Sequence, residues 1–485
     1  MTRLHTSLGR YLGFLLSLLI AGCAPFPKVS SPEPEIGVQT LASKESFSAP
    51  SGSWPSDRWW TQYDDSQLDK LMVEALRESP SLRVAQARVR RAQAIGLVAG
   101  APLLPQVGLE ATAGVQRLSY NYLTSPESVA RGWNDAGQVA LDMRWEIDFW
   151  GKYRAGLAAA TSEIEARRAE LAQAELVLTT SLASSYAELA RLYALKDTAE
   201  RAVKVRAQTQ SLFAERQLHG LETKASVLEA QAKEAQAQTE DLFLAEQIAL
   251  QKNRLASLLG AGPDRGLEIR RPGAVLQKSL SLPTELAADL IGRRPDVMAA
   301  RLQAQAQSNL VKRREADFYP NVNLAAIIGL QSLGLNVLGQ SGSTYGRVGP
   351  AISLPIFTGG RLQGELLGAR AEFDVSVAVY NNTLIHALQN VADVVTSYRA
   401  LKGQLTQAER GLTAALQANQ LASGRYRGGL SSYLEVLVSE DIMLTSLRVV
   451  TELRARNFVL DVALVRALGG GYHSNQTEPL RLSKS

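Results

Sequence analysis

Residues 138–150 read QVALDMRWEIDFW, and the stretch alternates strictly between apolar and polar positions. An apolar residue occupies every second position from Val139 to Phe149. The opposite positions carry the charged residues Asp142, Arg144, Glu146 and Asp148. A period of two is the pattern of a β-strand with one face against an apolar phase and the other against water. The stretch therefore predicts a strand with one unbroken apolar face and one charged face.

Three further stretches alternate in the same way, namely PQVGLEATAGVQRL (105–118), PNVNLAAIIGLQSL (320–333) and GRVGPAISLPIF (346–357). A soluble sandwich would show the same alternation, so the pattern alone leaves that class of fold open. Each stretch has about 12 residues, however, which is enough to cross a bilayer when tilted. Aromatic residues also gather near the strand ends, as in a membrane girdle: Tyr120, Tyr122, Trp133, Phe149, Phe318, Tyr319 and Tyr345. The four strands are therefore predicted to cross a membrane.

The chain contains one unit written twice, over residues 66–260 and 287–470. Matching residues recur in the same order in both copies: Pro80 and Pro295, Pro105 and Pro320, Leu109 and Leu324, Gly114 and Gly329, Gly151 and Gly360, Arg216 and Arg425, Gly220 and Gly429, Gly260 and Gly469. Such a series indicates an internal duplication. Each copy is predicted to contain a helix, two strands, a long helix and a further helix.

Long runs without glycine or proline predict the helices. The opening helix is expected over about residues 66–99, and no glycine or proline occurs between Gly156 and Gly220. Residues 221–259 and 430–468 are two more such runs, rich in Ala, Leu, Glu and Arg. These residues are strong helix formers. In the second copy three glycines are expected to weaken the long helix, by about 1 kcal/mol each relative to alanine: Gly403, Gly411 and Gly424.

The N-terminus has the pattern of an export signal. Arg3 and Arg10 flank an apolar segment that ends in Ile20-Ala21-Gly22-Cys23, and Cys23 is the only cysteine among 485 residues. Small residues before a single cysteine resemble a bacterial lipobox, which implies that residues 1–22 are removed and Cys23 is lipidated. An ordinary signal peptide with a stray cysteine is the alternative. No later stretch holds about 20 consecutive apolar residues, so no membrane-spanning helix is predicted.

Composition and residue spacing argue against nucleic-acid binding and catalysis. The net charge is only +5, from 52 basic and 47 acidic residues, with no dense basic stretch among aromatics. The four histidines, His5, His219, His386 and His473, are scattered, and no metal-ligand spacing occurs. GQSGS at 339–343 lacks a nucleophile-elbow pattern. Asp64-Asp65 precedes a helix and is expected to cap it. We therefore predict neither an enzyme nor a resident cofactor apart from the lipid on Cys23.

Four strands cannot form a closed pore alone. An eight-stranded barrel is already filled by its own side chains, and open sheet edges are not tolerated in lipid. Several copies must therefore pool their strands. The residues Asp142, Arg144, Glu146 and Asp148 are then predicted to face water inside the shared barrel.

Six motifs, in order, resemble the TolC-type outer-membrane factors, in particular the lipoprotein branch related to OprM and NodT. They are WWTQYDDSQLDKLMVEAL, WEIDFWGKYRAG, RRPDVMAARLQAQA, ADFYPNVNL, ISLPIFTGGRLQGEL and RYRGGLSSYLEVL. The resemblance implies a membrane α+β fold. It implies a homotrimer with a twelve-stranded β-barrel, four strands per chain, continued by a long α-helical periplasmic tunnel. An equatorial segment would fall at 261–286, with 23–65 along the tunnel and 471–485 as a tail.

The resemblance also implies a function in the bacterial outer membrane. Such proteins are exit ducts of tripartite efflux pumps that conduct small molecules, such as drugs, without catalysis. An inner-membrane transporter, here expected to be of the RND type, supplies energy, and a periplasmic adaptor connects the transporter to the duct. A type I protein-secretion duct is the alternative within the family. A lipid-anchored coiled-coil scaffold without a pore is the alternative outside it.

Two helix turns are the functional regions that the resemblance implies. The family turns its paired helices at Gly-Leu steps, here Gly220-Leu221 and Gly429-Leu430, and the adaptor docks on these tips. Glycine suits a sharp reversal because it adopts backbone angles that other residues resist.

The resemblance places the periplasmic gate just past the second tip. Leu434 matches an apolar ring and Glu435 an acidic ring, while Arg425 and Tyr426 match residues that link neighbouring helices in the closed state. A solvated helix residue is the alternative for Glu435. Two positions depart from the family pattern: Val438 stands where some members have the acid, and Ser226 occupies the matching position in the first copy.

Overall fold

The computed structural model describes residues 34–37, 41, 45–47, 52–121, 126–273 and 292–473. The predicted signal segment, Cys23, Tyr122 and most of the tail lie outside these residues. The chain divides into two compact units. One is built mainly from Val89–Arg167 and Ala300–Tyr380, and the other from Ile36–Arg88, Arg168–Ala299 and Asn381–Ser485. Each unit therefore combines segments of both sequence repeats.

Helices make up most of the described chain. They are α1 Ser66–Glu78, α2 Pro80–Gly100, α3 Lys152–Leu218, α4 Lys224–Leu259, α5 Asp264–Leu267, α6 Pro295–Ala316, α7 Arg361–Arg427 and α8 Tyr433–Ala467. The long helices α3 and α7 have 67 residues each, so the duplication is retained in the structure. Gly403, Gly411 and Gly424 lie inside α7 and do not interrupt it. None of the helices in the described ranges has the length and apolarity of a membrane span.

The predicted opening helix is two helices rather than one. Helix α1 ends at Glu78 and α2 begins at Pro80. Between them Ser79 has an extended ψ of 123°, because proline disfavours helical angles in the residue before it. At the start of α1 the Asp65 carboxylate accepts hydrogen bonds from the amides of Gln67 and Leu68. The predicted capping role is therefore confirmed for Asp65.

The four strands form one antiparallel sheet in the order β1-β2-β3-β4. They are β1 Gln106–Gln116, β2 Asn134–Ile147, β3 Asn321–Leu333 and β4 Thr344–Ser353. The register places apolar residues opposite apolar residues across all four strands. One such row is Val107, Met143, Ala326 and Val348. The alternation within each strand therefore produces a single apolar face on the sheet.

This apolar face is uncovered in one chain. Leu109, Ile328 and Val348 are 70%, 62% and 75% exposed, respectively. The strands β1 and β4 each pair with a single neighbour in the described residues, so the sheet has two open edges. A patch of this kind requires lipid or another chain against it.

The aromatic residues at the strand ends differ in part from the prediction. Phe318 is buried against Leu362 and Leu366, so it belongs to the core between α6 and α7. Tyr345 lies on the polar face, where its hydroxyl accepts a hydrogen bond of 2.6 Å from Gln138. Both departures arise from burial and register, which aromatic character alone does not specify.

Phe149 and Tyr319 are exposed, as a girdle requires. Trp150, which the alternation did not include, stacks on Tyr319 with ring centroids 4.7 Å apart and donates a 2.8 Å hydrogen bond to the Pro320 carbonyl. An amphipathic ring of this kind suits the boundary between lipid and water.

In the second unit, a buried core joins the segment before α1 to helices from both repeats. Trp59, Trp60 and Tyr63 pack into this core with α1, α3, α4 and α8. The Tyr63 hydroxyl donates a 2.5 Å hydrogen bond to Asp461 of α8. The segment just before the first repeat thereby holds helices of the two copies together.

Candidate functional site

The two predicted tips are tight helix turns of the same construction. Gly220 and Gly429 have φ angles of +69° and +74°, in the left-handed region that favours glycine. The Leu221 amide donates to the Arg216 carbonyl at 2.9 Å, and the Leu430 amide donates to the Arg425 carbonyl at 2.8 Å. This bond from the residue after the glycine is the Schellman arrangement that ends a helix.

The residues around the turns explain one departure from the family pattern. Thr223 caps α4, because its hydroxyl accepts a hydrogen bond of 3.2 Å from the Ser226 amide. Ser226 is buried and its hydroxyl lies 2.9 Å from that of Thr223. Position 226 therefore serves the helix cap in the first copy. Outside the caps, Leu221 and Leu430 are 63% and 74% exposed, so both tips present an apolar side chain.

Two tyrosines join the second tip to the first. The Tyr426 hydroxyl donates a 2.6 Å hydrogen bond to Glu222, and the Tyr433 hydroxyl donates to Glu229. Phe213 of α3 packs edge-on against both rings. Helices α3 and α4 form the first helical hairpin, and α7 and α8 form the second. Tyr426, which was predicted to link neighbouring helices, bonds here to an acidic side chain at the turn of the first hairpin in the same chain.

Their surroundings keep both tyrosines protonated. Burial raises the pKa of the Tyr426 phenol, and its hydrogen bond to Glu222 raises it further. Burial and Glu229 act in the same direction on the pKa of Tyr433. Because a raised phenol pKa favours the O–H form, both side chains remain hydrogen-bond donors through neutral and moderately alkaline pH.

The other predicted gate residues lie at the start of α8 and the end of α7. Leu434 is 59% exposed, and Glu435 is exposed in the first turn of α8. Both are therefore available to meet equivalent residues of other copies. The Arg425 guanidinium donates a 3.4 Å hydrogen bond to the Leu430 carbonyl, within its own turn, and its role as a link between neighbouring helices stays a prediction. That short reach follows from the tight turn at Gly429.

The charged face of β2 is ordered by ion pairs. Arg144 lies 3.4 Å from Asp142 along the strand. Glu146 accepts a 2.5 Å hydrogen bond from the Tyr153 hydroxyl and pairs with Lys152 at 3.4 Å. These three predicted residues share the face opposite the apolar rows.

Asp148 is a correction to the predicted set. The strand ends at Ile147, and the Asp148 carboxylate accepts hydrogen bonds of 3.1 and 2.9 Å from the amides of Tyr153 and Arg154. It therefore caps the start of α3 and does not extend the charged row of β2. Asp148 continues the alternation past the end of the strand because a carboxylate is also favourable at the start of a helix.

Comparison with known proteins decides the family. The sequence profile of the outer membrane efflux protein family matches residues 71–261 and 286–470. The chain belongs to this family. The efflux protein is 30% identical to the multidrug resistance outer membrane protein MdtP of Escherichia coli (strain K12), over 463 residues that cover 94% of this chain and 95% of MdtP. It is 32% identical to the fusaric acid resistance protein FusA of Burkholderia cepacia, over 73% of this chain and 68% of FusA.

Solved structures agree with these relatives. The outer membrane protein VceC from Vibrio cholerae is 45% identical and superposes with a TM-score of 0.83, covering 87% of this chain and all of VceC (100%). The outer-membrane channel OprN gives the same TM-score of 0.83 at 27% identity, over 93% of this chain and 99% of OprN. The predicted family, the α+β channel fold with two repeats and the role as an outer-membrane exit duct for efflux are therefore confirmed.

The efflux protein also has an ionic cluster with a buried centre, which was not predicted from the sequence. It is formed by Arg206 and Thr209 of α3, Lys233 of α4, and Glu440 and Asp441 of α8. Arg206 lies 2.6 Å from Glu440 and also pairs with Asp441. Thr209 donates a 2.6 Å hydrogen bond to Glu440, and Lys233 lies 3.4 Å from Asp441. The sequence signals this cluster only weakly, by the two adjacent acids Glu440 and Asp441 on a helix that carries other charged residues as well.

The electrostatics of this cluster follow from its burial. Arg206 and Glu440 are 4% and 3% exposed, so the pair is removed from water. Burial raises the pKa of Glu440, while Thr209 and Arg206 oppose the shift by stabilising the carboxylate. Within the described ranges, no group of histidine, cysteine, aspartate or glutamate residues is placed to hold a metal ion.

Proposed function

We propose that three copies of the efflux protein join their sheets into one twelve-stranded barrel in the outer membrane. The observation that carries this proposal is the register of the sheet, which brings apolar residues of all four strands onto one uncovered face and leaves β1 and β4 as open edges. Lipid tolerates no open edge, so each edge pairs with the opposite edge of another copy. Three copies supply enough strands for an aqueous lumen.

The polar face of the sheet lines this lumen. Asp142, Arg144 and Glu146 lie on it, and their ion pairs within the chain keep the wall hydrated without a large net charge. The helices α3, α4, α7 and α8 form the periplasmic part of the duct. The duct binds no cofactor and catalyses no reaction.

The two tips receive a periplasmic adaptor. Gly220 and Gly429 end their helices in matching turns, and Leu221 and Leu430 project as exposed apolar contacts. Repeating the pair in three copies gives six similar docking points, which suits a ring of adaptor subunits. The adaptor connects the duct to an inner-membrane transporter of the RND type.

Small toxic molecules are the proposed cargo. The relatives MdtP and FusA are named for multidrug resistance and fusaric acid resistance, and both match most of this chain. A type I protein-secretion duct is the second candidate, since the same duct architecture serves both systems by family resemblance.

The segment around the second tip is the proposed gate. Leu434 and Glu435 are exposed on α8 and form successive rings when three copies meet, while Tyr426 holds the second hairpin against the first. Three carboxylates on one axis attract cations.

Cys23 is the proposed lipid anchor, because small residues precede this single cysteine at the end of an apolar segment. Metabolic labelling with a radioactive fatty acid tests this proposal. Wild type should be labelled and Cys23→Ala should not. Label retained by Cys23→Ala contradicts the proposal.

A combined measurement of mass and conductance tests the duct. The detergent-extracted protein should have the mass of a trimer and should conduct ions across planar lipid bilayers. A well-folded single copy without conductance at any voltage or pH would instead support a scaffold without a pore. Pull-down of the adaptor, with Leu221→Ser/Leu430→Ser as the test variant and exposed Leu250→Ser as the control, tests the docking role.

A further inference from the structure

In the part of α8 nearest the tips, polar contacts between the two hairpins occur at two levels. At the lower level, Tyr426 and Tyr433 donate hydrogen bonds to Glu222 and Glu229 beside the tips. The upper level is the ionic cluster around Arg206. Glu440 follows Tyr433 by two helical turns, which places the upper level about 10 Å further along the helix axis.

The two levels differ in how easily they separate. Glu229 is exposed and Glu222 is partly exposed, so water can replace the phenols as hydrogen-bond donors to both carboxylates. Arg206 and Glu440 are buried, and Arg206 serves Glu440 and Asp441 together. Breaking a buried pair leaves an uncompensated charge away from water, which is far less favourable. The two hydrogen bonds of the lower level therefore break more easily than the ion pairs of Arg206, which leaves the apolar cluster of Phe213, Tyr426 and Val436 to hold the tips together.

Close apolar packing does not reinforce the ion pairs of the upper level. A cavity of about 380 Å³ lies beside the cluster between α3, α4 and α8, lined among others by Arg206, Lys233, Leu244 and Leu444. Further along α8, Phe458 and Val462 pack into the core with α3. Between the tips and that core, ion pairs hold α8 to the first hairpin, and Arg206 makes the buried one, since the side chains of Arg448 and Glu240, 3.5 Å apart, are not buried.

We propose that Arg206 is the pivot of the gate, a positioning residue that limits how far the second hairpin separates from the first when the tyrosine contacts release. This role rests on the proposed gate function. Below Glu440 the second hairpin moves, and above Asp441 it stays attached. Arg206 touches no cargo and acts through α8.

Hydrogen–deuterium exchange of the intact trimer in detergent tests the pivot. Tyr426→Phe/Tyr433→Phe should accelerate exchange of α8 amides in 433–440 by about tenfold, because two hydrogen bonds are lost. Exchange in 442–450 should remain unchanged. Adding Arg206→Met should extend the acceleration through 442–450, up to the level of the next core.

Two further variants sharpen the result. Arg206→Lys retains the charge but not the forked donors that reach both acids, so it should give a smaller extension and serves if Arg206→Met does not assemble. Lys204→Met, at an exposed position of the same helix, should leave the boundary at Glu440. Acceleration of 442–450 by the tyrosine variant alone, or a boundary unmoved by both Arg206 variants, overturns the proposal.

Conductance of the same variants separates this proposal from the gate assignment. If the exchange boundary behaves as stated but the tyrosine variant conducts like wild type, the tips do not gate the duct and Arg206 retains only its mechanical role. If conductance rises but the exchange boundary does not move when Arg206 is replaced, the gate assignment is supported and the pivot role of Arg206 is rejected.

Discussion

The Tyr426 hydroxyl donates a 2.6 Å hydrogen bond to Glu222, across the gap between the two helix turns of one chain. The donor lies three residues before Gly429, and the acceptor lies two residues after Gly220. Tyr426 is 3% exposed, with the Arg216 guanidinium 4.7 Å above its ring. The turns that were predicted as separate adaptor sites are therefore also coupled to one another.

Tyr426→Phe tests this coupling, because it removes the donor and keeps the buried ring. We expect a loss of about 1 kcal/mol of stability and a higher single-channel conductance. Glu222→Ala should be non-additive with it, since each variant removes one partner of the same hydrogen bond. Tyr193→Phe, away from the tips, serves as the control. Additive effects of the two tip variants would show that the bond contributes nothing.

Glu435 is predicted to set the ionic selectivity of the gate. In Glu435→Gln the carboxylate ring disappears without a change in size, so the preference for cations should fall. Reversal potentials across a salt gradient measure this change. The control is Glu234→Gln, a partly exposed acid on α4. An unchanged reversal potential in Glu435→Gln would assign Glu435 to the solvated helix surface.

Gly429 tests the backbone requirement of the tip. No atom lies within 4 Å of an added Cβ, so Gly429→Ala suffers only from its left-handed φ of +74°. That strain is worth about 1 kcal/mol, and thermal unfolding in detergent should shift downwards. Gly424→Ala, inside α7 with equally open space, should stabilise by about 1 kcal/mol through helix propensity. Opposite signs are thus expected for two glycines five residues apart.

Glu440 makes stability depend on pH in the acidic range. Its pKa is raised above the ordinary value of 4.5, so its contribution to stability is fully present below 4.5. This contribution is lost as pH rises through the raised pKa, because the folded protein must then hold a buried carboxylate. Glu440→Gln should flatten the thermal unfolding profile in this window. Equal pH dependence in both proteins would assign it to other groups.

Local sequence pattern was sufficient for most of the fold. Alternation identified all four strands, runs without glycine or proline identified α3, α4 and α8, and the duplication identified α7. It failed where a second local requirement competed. Proline at position 80 divided the opening helix, and Asp148 continued the alternation although it caps α3.

The candidate site was predictable only where one residue decides the geometry. Gly220 and Gly429 could be found because a left-handed turn favours glycine. The partners of Tyr426 and Tyr433 could not, since each lies more than 200 residues away and carries no mark of the pairing. The burial of Arg206 was equally hidden, because arginine on a helix is usually solvated.

By itself the sequence determined the period of each strand, the lengths of the helices and the duplication, because these depend on interactions between near neighbours. Only the tertiary structure decided the register that brings the apolar residues of four strands onto one face. It also decided the pairing of Arg206 with Glu440. Such contacts depend on which elements pack together, and residues distant in the chain meet only after the whole unit has folded.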